Sequence, residues 1–277
     1  MLDGSIDKAM QRSHGAAFAA FFRKNSELRL ADLSQRGSAK VMLPRCDGPV
    51  PEVVFLNTSG GLTGGDSLSY AVEVGAGCRV LATTQTAERG YASLGAAARV
   101  SFRAKVATGA RLDWLPQETL IYEDANLDRR TEIDLALDAE CLVAETIVLG
   151  RQAMGEVPQR ARLFDQRMIR RAGRPVWAEA FRLDAAVLAS TSPALLGAAR
   201  AMAVMALVAQ GAEDAIGPLR ALPPTQGCEM AVSGWDGRCI LRLTASGGWP
   251  LRRQMASVLQ VLTGRPLPRV WQSGDTL

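Results

Sequence analysis

The chain has one histidine, His14, and that scarcity removes the commonest general base from nearly all of the molecule. A serine or cysteine nucleophile needs such a base to take its proton, and the polar segment around His14 offers no Ser–His–Asp arrangement. Aromatic residues make up only 5% of the chain and are not grouped with arginine in RNP-like or zinc-finger spacings. Bases stack on aromatic faces, so nucleic acid is not an expected partner. The 32 Lys and Arg and 28 Asp and Glu leave a formal charge of +4, with both signs interspersed rather than gathered into a basic tract.

Cysteine is sparse and unpaired in pattern. Cys46, Cys78, Cys141, Cys228 and Cys239 form an odd set without a C-x-x-C pair, which argues against a disulfide framework and a zinc knuckle and fits a cytoplasmic setting. Long apolar runs are missing as well. The longest, residues 201–209, falls far below the roughly 20 residues that cross a bilayer, so no membrane span is expected. The run at 16–22 is too short and wrongly flanked by charge to serve as a secretory signal.

What is present is a period of two. Val100, Phe102, Ala104 and Val106 alternate with Arg99, Ser101, Arg103 and Lys105, and Thr131, Ile133 and Leu135 alternate with Glu132 and Asp134. Such alternation marks strands with one packed face. Short strands recur every ten to fifteen residues between about 27 and 183, with no helical pattern between them. This spacing predicts a mainly β fold, an elongated stacked-sheet, barrel or β-helix-like assembly of many short strands. Near residue 190 the pattern changes. Ser192-Pro193 before an Ala-, Leu- and Met-rich stretch predicts a helix over 194–210. Asp236-Gly237 between two alternating runs predicts a tight hairpin over 226–245. Pro250 opens a second helix to about 262, stopped by Gly264. With 48% apolar residues among 277, one domain over 1–277 is expected, β-rich over 1–190 and helix-hairpin-helix over 191–277. Arg269 and Trp271 lie in a tail that reads as exposed and partner-binding.

Two features carry candidate chemistry. The first is the loop Asn57-Thr58-Ser59-Gly60-Gly61-Leu62-Thr63-Gly64-Gly65-Asp66. It lacks the Gly-Lys-Ser/Thr of a P-loop and the register of a dinucleotide fingerprint. Four glycines in six residues require positive φ or close approach of another chain. The loop is therefore either a dense turn or a surface that offers amide, hydroxyl and carboxylate groups to a partner or a hydrated cation. The second feature is a set of carboxylates among apolar neighbours: Glu118, Glu145 and Glu156. Burying a carboxylate is costly unless it is paired, protonated or facing water. Arg111 or Arg151 could pair with them, or they could line a polar path. A carboxylate-based hydrolase is the alternative from a different class.

Four segments in order resemble one family: Leu56-Asn-Thr-Ser-Gly-Gly-Leu-Thr-Gly-Gly-Asp66, Thr83-Thr-Gln-Thr-Ala-Glu-Arg89, Leu115-Pro-Gln-Glu-Thr-Leu-Ile-Tyr122 and Leu149-Gly-Arg-Gln-Ala-Met-Gly-Glu156. Leu267-Pro-Arg-Val-Trp271 is similar too. The family is the urease accessory protein UreD, called UreH in some lineages. The resemblance implies a β-rich fold with helices towards the C-terminus. It implies no catalysis by the chain itself, and a complex with the accessory proteins UreF and UreG on apo-urease, in which a dimer would be accommodated. It also implies assistance to nickel insertion, with Ni²⁺ as transient cargo and no tightly bound cofactor. Asn57, Thr58, Gly60, Gly61, Gly64, Gly65, Asp66, Glu118, Glu145 and Glu156 are then the candidates for a nickel passage or partner surface. Oxygen ligands hold Ni²⁺ weakly, whereas capture would favour histidine or thiolate.

Overall fold

The computed structural model describes residues 11–25, 27–45 and 50–272, which leaves Cys46 outside the described part. The described strands are, in order, β1 (His14–Lys24), β2 (Glu27–Gly37), β3 (Ala39–Met42), β4 (Glu52–Asn57), β5 (Ser67–Val74), β6 (Arg79–Thr84), β7 (Glu88–Gly90), β8 (Ala98–Val106), β9 (Arg111–Trp114), β10 (Thr119–Ile121), β11 (Asn126–Leu135), β12 (Glu140–Leu149), β13 (Arg162–Arg171), β14 (Arg174–Leu183), β15 (Ala201–Val208), β16 (Cys228–Trp235) and β17 (Arg238–Ala245). Three α-helices accompany them: α1 (Ala185–Ala189), α2 (Ile216–Arg220) and α3 (Gly248–Thr263).

The chain winds between two sheets. One has the order β14-β13-β11-β8-β5-β1-β2, and the other runs β16-β17-β15-β12-β9-β6-β4-β3. From β4 to β13 each coil places one strand in each sheet and pairs in parallel with the coil before it, so Ser67, Arg99, Asp128 and Phe164 stack as register partners. A short third ladder joins β7, β10 and β12. Among the three arrangements left open by the periodicity, the chain adopts a stacked-coil, β-solenoid-like one. Antiparallel strands close its ends: β2 and β3 at one, β14 and the β15, β17, β16 set at the other.

Alternation sorts the side chains into layers. Tyr70, Val72, Phe102, Ala104, Ile133 and Ile169 point inward from the first sheet and meet Phe55, Leu112, Trp114, Val143 and Ile147 from the second. The outer face of the second sheet is buried too, because α3 lays Leu251, Met255, Val258, Leu259 and Leu262 over it. Consequently β12 is buried on both sides and reads as a nearly continuous apolar run, as strands covered on both faces do.

The same cause overturns the helix expected over 194–210. Its core is β15, a strand paired between β12 and β17. Val204, Ala206 and Val208 enter the inner core, while Ala203, Met205 and Leu207 face the α3 side. An apolar run without polar alternation does not distinguish a doubly covered strand from a buried helix. From β15 to the C-terminus the order is strand, α2, the β16–β17 hairpin and α3. At the hairpin, Asp236 and Gly237 both have positive φ, as a type I′ turn demands. The helix opened around Pro250 is α3, closed by Gly264 at φ 62°, whose N–H donates to the Gln260 carbonyl. The tail is not exposed at Trp271. Its ring is buried and its Nε1 donates to the Leu115 carbonyl at 3.1 Å. Arg269 remains at the surface, donating to the Arg45 carbonyl at 2.7 Å. No helix among the described residues is long and apolar enough to cross a membrane.

Because β15 packs on both faces, Val204→Ala and Met205→Ala should each destabilise the chain, the first by about 1 kcal/mol or more and the second by about 2–4 kcal/mol. Denaturant unfolding measures both. An element covered on one side would lose stability at just one of these adjacent positions.

Candidate functional site

The inward parity that carries Leu127, Ile133 and Leu135 on β11 also carries Arg129 and Thr131, and on β13 it carries Asp165 and Arg167 between Leu163 and Ile169. Opposite them, β12 presents Glu145 at the parity of Val143 and Ile147. These side chains meet in the interior. Arg129 forks onto Asp165, Nε to Oδ1 at 3.0 Å and Nη2 to Oδ2 at 2.5 Å. Arg167 donates through Nε to Glu145 at 2.6 Å and through Nη2 to Asp165. Glu145 also accepts from Thr131 Oγ1 at 2.5 Å and Trp114 Nε1 at 3.2 Å, with Arg129 Nη2 at 3.7 Å. Two guanidiniums and two carboxylates thus cancel. Burial pushes the Glu145 carboxyl up, but Arg129 and Arg167 outweigh it and hold it down to about 2. Its two oxygens accept three hydrogen bonds and also face the Arg129 guanidinium, so it has little capacity left for a cation.

Beside this cluster stands Glu88, on β7. Its carboxylate accepts two hydrogen bonds from Asn57 Nδ2, at 3.1 and 3.2 Å, and one from the Arg89 backbone N–H at 3.2 Å. Burial raises its pKa to about 7 despite those bonds, with the charge of Asp66 adding to the rise. Two small cavities, each about 40 Å³, flank it. One is bordered by Asn57, Gly60 and Gly61, and the other by Trp114, Gln117, Thr119 and Glu145, with Tyr70, Thr84 and Glu88 common to both. A carboxyl with a pKa near neutrality, between two small cavities, can act as a proton donor or acceptor.

The glycine loop is built by its own hydrogen bonds. Asp66 is buried and accepts from the Ser13 N–H at 2.7 Å and the Thr63 N–H at 2.8 Å, which closes the loop on β1. A Cβ on Gly61 would meet the Tyr91 ring at 2.3 Å, and one on Gly64 would sit 1.9 Å from Ser93 Oγ, so both positions require glycine for close approach. Gly60 and Gly65 have φ of 80° and 88°. Thr58 is exposed and bonds the Ser38 carbonyl through both N–H and Oγ1. Asn57 stacks the loop on Glu88 by accepting from Ser59 while donating inward.

The other carboxylates lie in different settings. Glu156 pairs with Arg151 at 2.5 Å and accepts from the backbone of Glu123 and Arg151. The bond from Arg151 lowers its pKa. Glu118 meets Arg252 at 3.3 Å on the rim of a groove beside α3, where Trp249 and Met154 are exposed. Arg111, expected as a partner for these groups, instead binds Asp113 and Glu140. The structure therefore brings together Asn57, Gly60, Gly61 and Glu145 around Glu88, with Asp66 near enough for its charge to act on that group, while the side chains of Glu118 and Glu156 turn to Arg252 and Arg151. Each of the three carboxylates of the hydrolase alternative is engaged by an arginine. Among the described residues no group of three or more His, Cys, Asp or Glu converges to hold an ion. The buried thiols Cys141 and Cys228 are pushed up by desolvation to about 12 and about 11, which keeps them protonated.

A family model described as UreD urease accessory protein matches residues 13–272. The chain belongs to the UreD family. Similar proteins named urease accessory protein UreD include one from Cereibacter sphaeroides (strain ATCC 17025 / ATH 2.4.3), 57% identical over 95% of this chain and 96% of its own length. Another from Paracoccus denitrificans is 48% identical over 98% and 96% of the two chains, and one from Rhizobium leguminosarum bv. trifolii is 40% identical over 94% and 96%. In this UreD-family chain Glu88 falls inside the Thr83–Arg89 segment that resembled the family, yet its polar neighbours gave no sign of burial. Arg129, Asp165 and Arg167 were missed too. Their shared parity with Leu127, Leu163 and Ile169 is the signal that identifies them.

Two outcomes follow from these environments. Glu145→Ala should cost about 3–5 kcal/mol in chemical denaturation, because it leaves two buried arginines sharing the single carboxylate of Asp165. Glu88 has the opposite sign of pH linkage to a paired carboxylate. The folded state keeps its proton to about pH 7 while the unfolded chain releases it near 4.5. The favourable contribution is thus complete below about pH 4.5 and lost as pH rises through 7, up to about 3 kcal/mol in all. Thermal melts of Glu88→Gln should lack this decline between pH 5 and 8. An unchanged slope would show that Glu88 titrates normally.

Proposed function

We propose that this chain is a non-catalytic maturation factor for urease, acting in the cytoplasm, which binds apo-urease together with UreF and UreG and assists delivery of nickel to the urease active site. The observation that carries this reading is the family match over residues 13–272, supported by a half-buried carboxylate, Glu88, beside the glycine loop. Nickel is cargo here. Ni²⁺ accepts carboxylate, carbonyl and water oxygens, and tight retention would call for imidazole or thiolate.

In this scheme the ion passes the Asn57–Gly61 end, exchanges a water for a carboxylate oxygen of Glu88, and moves on. Glu88 suits the step because its raised pKa lets a proton and a cation compete for the same oxygens. Asn57 orients the carboxylate, and its amide can follow the group when it is protonated. Beyond Glu88, the electroneutral Arg129, Arg167, Glu145 and Asp165 cluster limits the path, since two fixed guanidiniums discourage a cation from settling at Glu145. The groove beside α3, with Trp249 exposed, serves as the face towards UreF. A pair of such chains fits a dimeric accessory complex.

Co-expression of urease with UreF, UreG and this chain tests both levels. Omitting the chain should leave urease largely without nickel, measured by mass spectrometry of the purified enzyme. Glu88→Gln should lower nickel per urease severalfold while co-purification with UreF is retained. Full nickel loading without the chain would overturn the maturation role. Full loading by Glu88→Gln would overturn the passage and leave the scaffold standing.

A further inference from the structure

The outward parity of the first sheet holds a second constellation that the interior reading does not use. One row of register partners crosses five strands: Arg36 on β2, Ala16 on β1, Ser69 on β5, Ser101 on β8 and Arg130 on β11. Its middle members are small, and its end members are long cations. The next row adds His14, Ser67, Arg99 and Asp128. The result is a trough of about 750 Å³ with a floor of glycine, alanine and serine and arginine walls. Four interstrand steps of roughly 4.8 Å put its ends about 19 Å apart.

Its charge is unbalanced. Among the described residues neither Arg36 nor Arg99 has an acidic partner, and Arg130 has a distant one, Asp128 at 3.8 Å. Arg103 is occupied by Glu132. Asp128 Oδ1 is buried and accepts no hydrogen bond, a costly state for a carboxylate oxygen.

We propose that this trough docks an extended acidic segment of a partner protein, about six residues long and lying across the strands. Six extended residues at roughly 3.3 Å each match its length. Carboxylates of the segment meet Arg36, Arg99 and Arg130, whose forked guanidiniums bind them in pairs of hydrogen bonds. As Arg130 turns to the ligand it uncovers Asp128 Oδ1, which then accepts a peptide N–H. The hydroxyls of Ser67, Ser69 and Ser101 serve backbone groups on the floor. A single small anion cannot bridge arginines at opposite ends of the trough. A nucleic-acid strand fits poorly, since its backbone offers Asp128 no N–H and His14 is the trough's single ring, held to Ser67 Oγ at 2.7 Å, where successive bases need several.

The test is fluorescence anisotropy with labelled hexa-aspartate and hexa-asparagine peptides on the full chain, with no urease, UreF or nickel present, so its failure is separate from failure of the maturation reading. Hexa-aspartate should bind and hexa-asparagine should not. The triple change Arg36→Ala, Arg99→Ala, Arg130→Ala should weaken binding at least tenfold. Ser69→Gln keeps every charge and fills the floor, so it should weaken binding at least threefold, and it carries the test if the triple variant fails to fold. Undiminished affinity in Ser69→Gln would reduce the site to diffuse attraction and overturn the trough. So would tighter binding of oligothymidylate than of hexa-aspartate, or full displacement of the peptide by millimolar inorganic phosphate.

Discussion

Glu145 reaches across the space between the two sheets to meet Arg129 and Arg167, and the interior is organised around that contact. An ionised carboxylate without partners at this depth would be expelled or protonated. With Asp165 completing the set, no member can be removed without stranding another. The cluster also fixes register. Arg129 and Thr131 on β11 and Asp165 and Arg167 on β13 must all point inward at once. A slip of one residue would turn every one of them to solvent and bring Asp128, Arg130 and Glu132 into the core.

Where one face of a strand meets water, the structure was readable in advance. Val100 to Val106 alternates without interruption and forms β8, and Asp236-Gly237 makes the hairpin turn it promised. Legibility failed where both faces are covered. β15 carries no polar residue to mark a face, and the α3 helix that covers its outer side comes from some distance along the chain. Trp271 failed for a related reason. A short tail reads as exposed until Thr83 and Leu115, far away in the chain, are seen to supply its hydrogen-bond partners.

The candidate site was half visible. Asn57, Gly60, Gly61 and Glu145 do border one interior region, but the residue that unites them is Glu88, flanked by Ala87 and Arg89 and lacking an apolar setting in the sequence. It is half-buried by the third ladder, where β7 lies beside β10, a pairing no local pattern announces. Asp66 shows the converse. Its place in a glycine-rich loop made it look functional, yet its two accepted backbone bonds make it the clasp of that loop.

Two carboxylates in one interior thus have opposite electrostatic characters. Glu145 is held near 2 by two arginines, and Glu88 is raised to about 7 because only amide donors compensate its burial. The difference bears on cation handling. A carboxylate saturated by guanidiniums is already neutralised and gains little from a metal, whereas one that carries a proton at neutral pH can exchange it for an ion and recover it afterwards. Glu88 lies nearer the glycine loop and the saturated Glu145 deeper, so the two characters follow one another along the interior. The strands that carry the saturated cluster inward carry Arg130 outward on the next residue. One alternating pattern therefore supplies both the sealed core and the basic outer face.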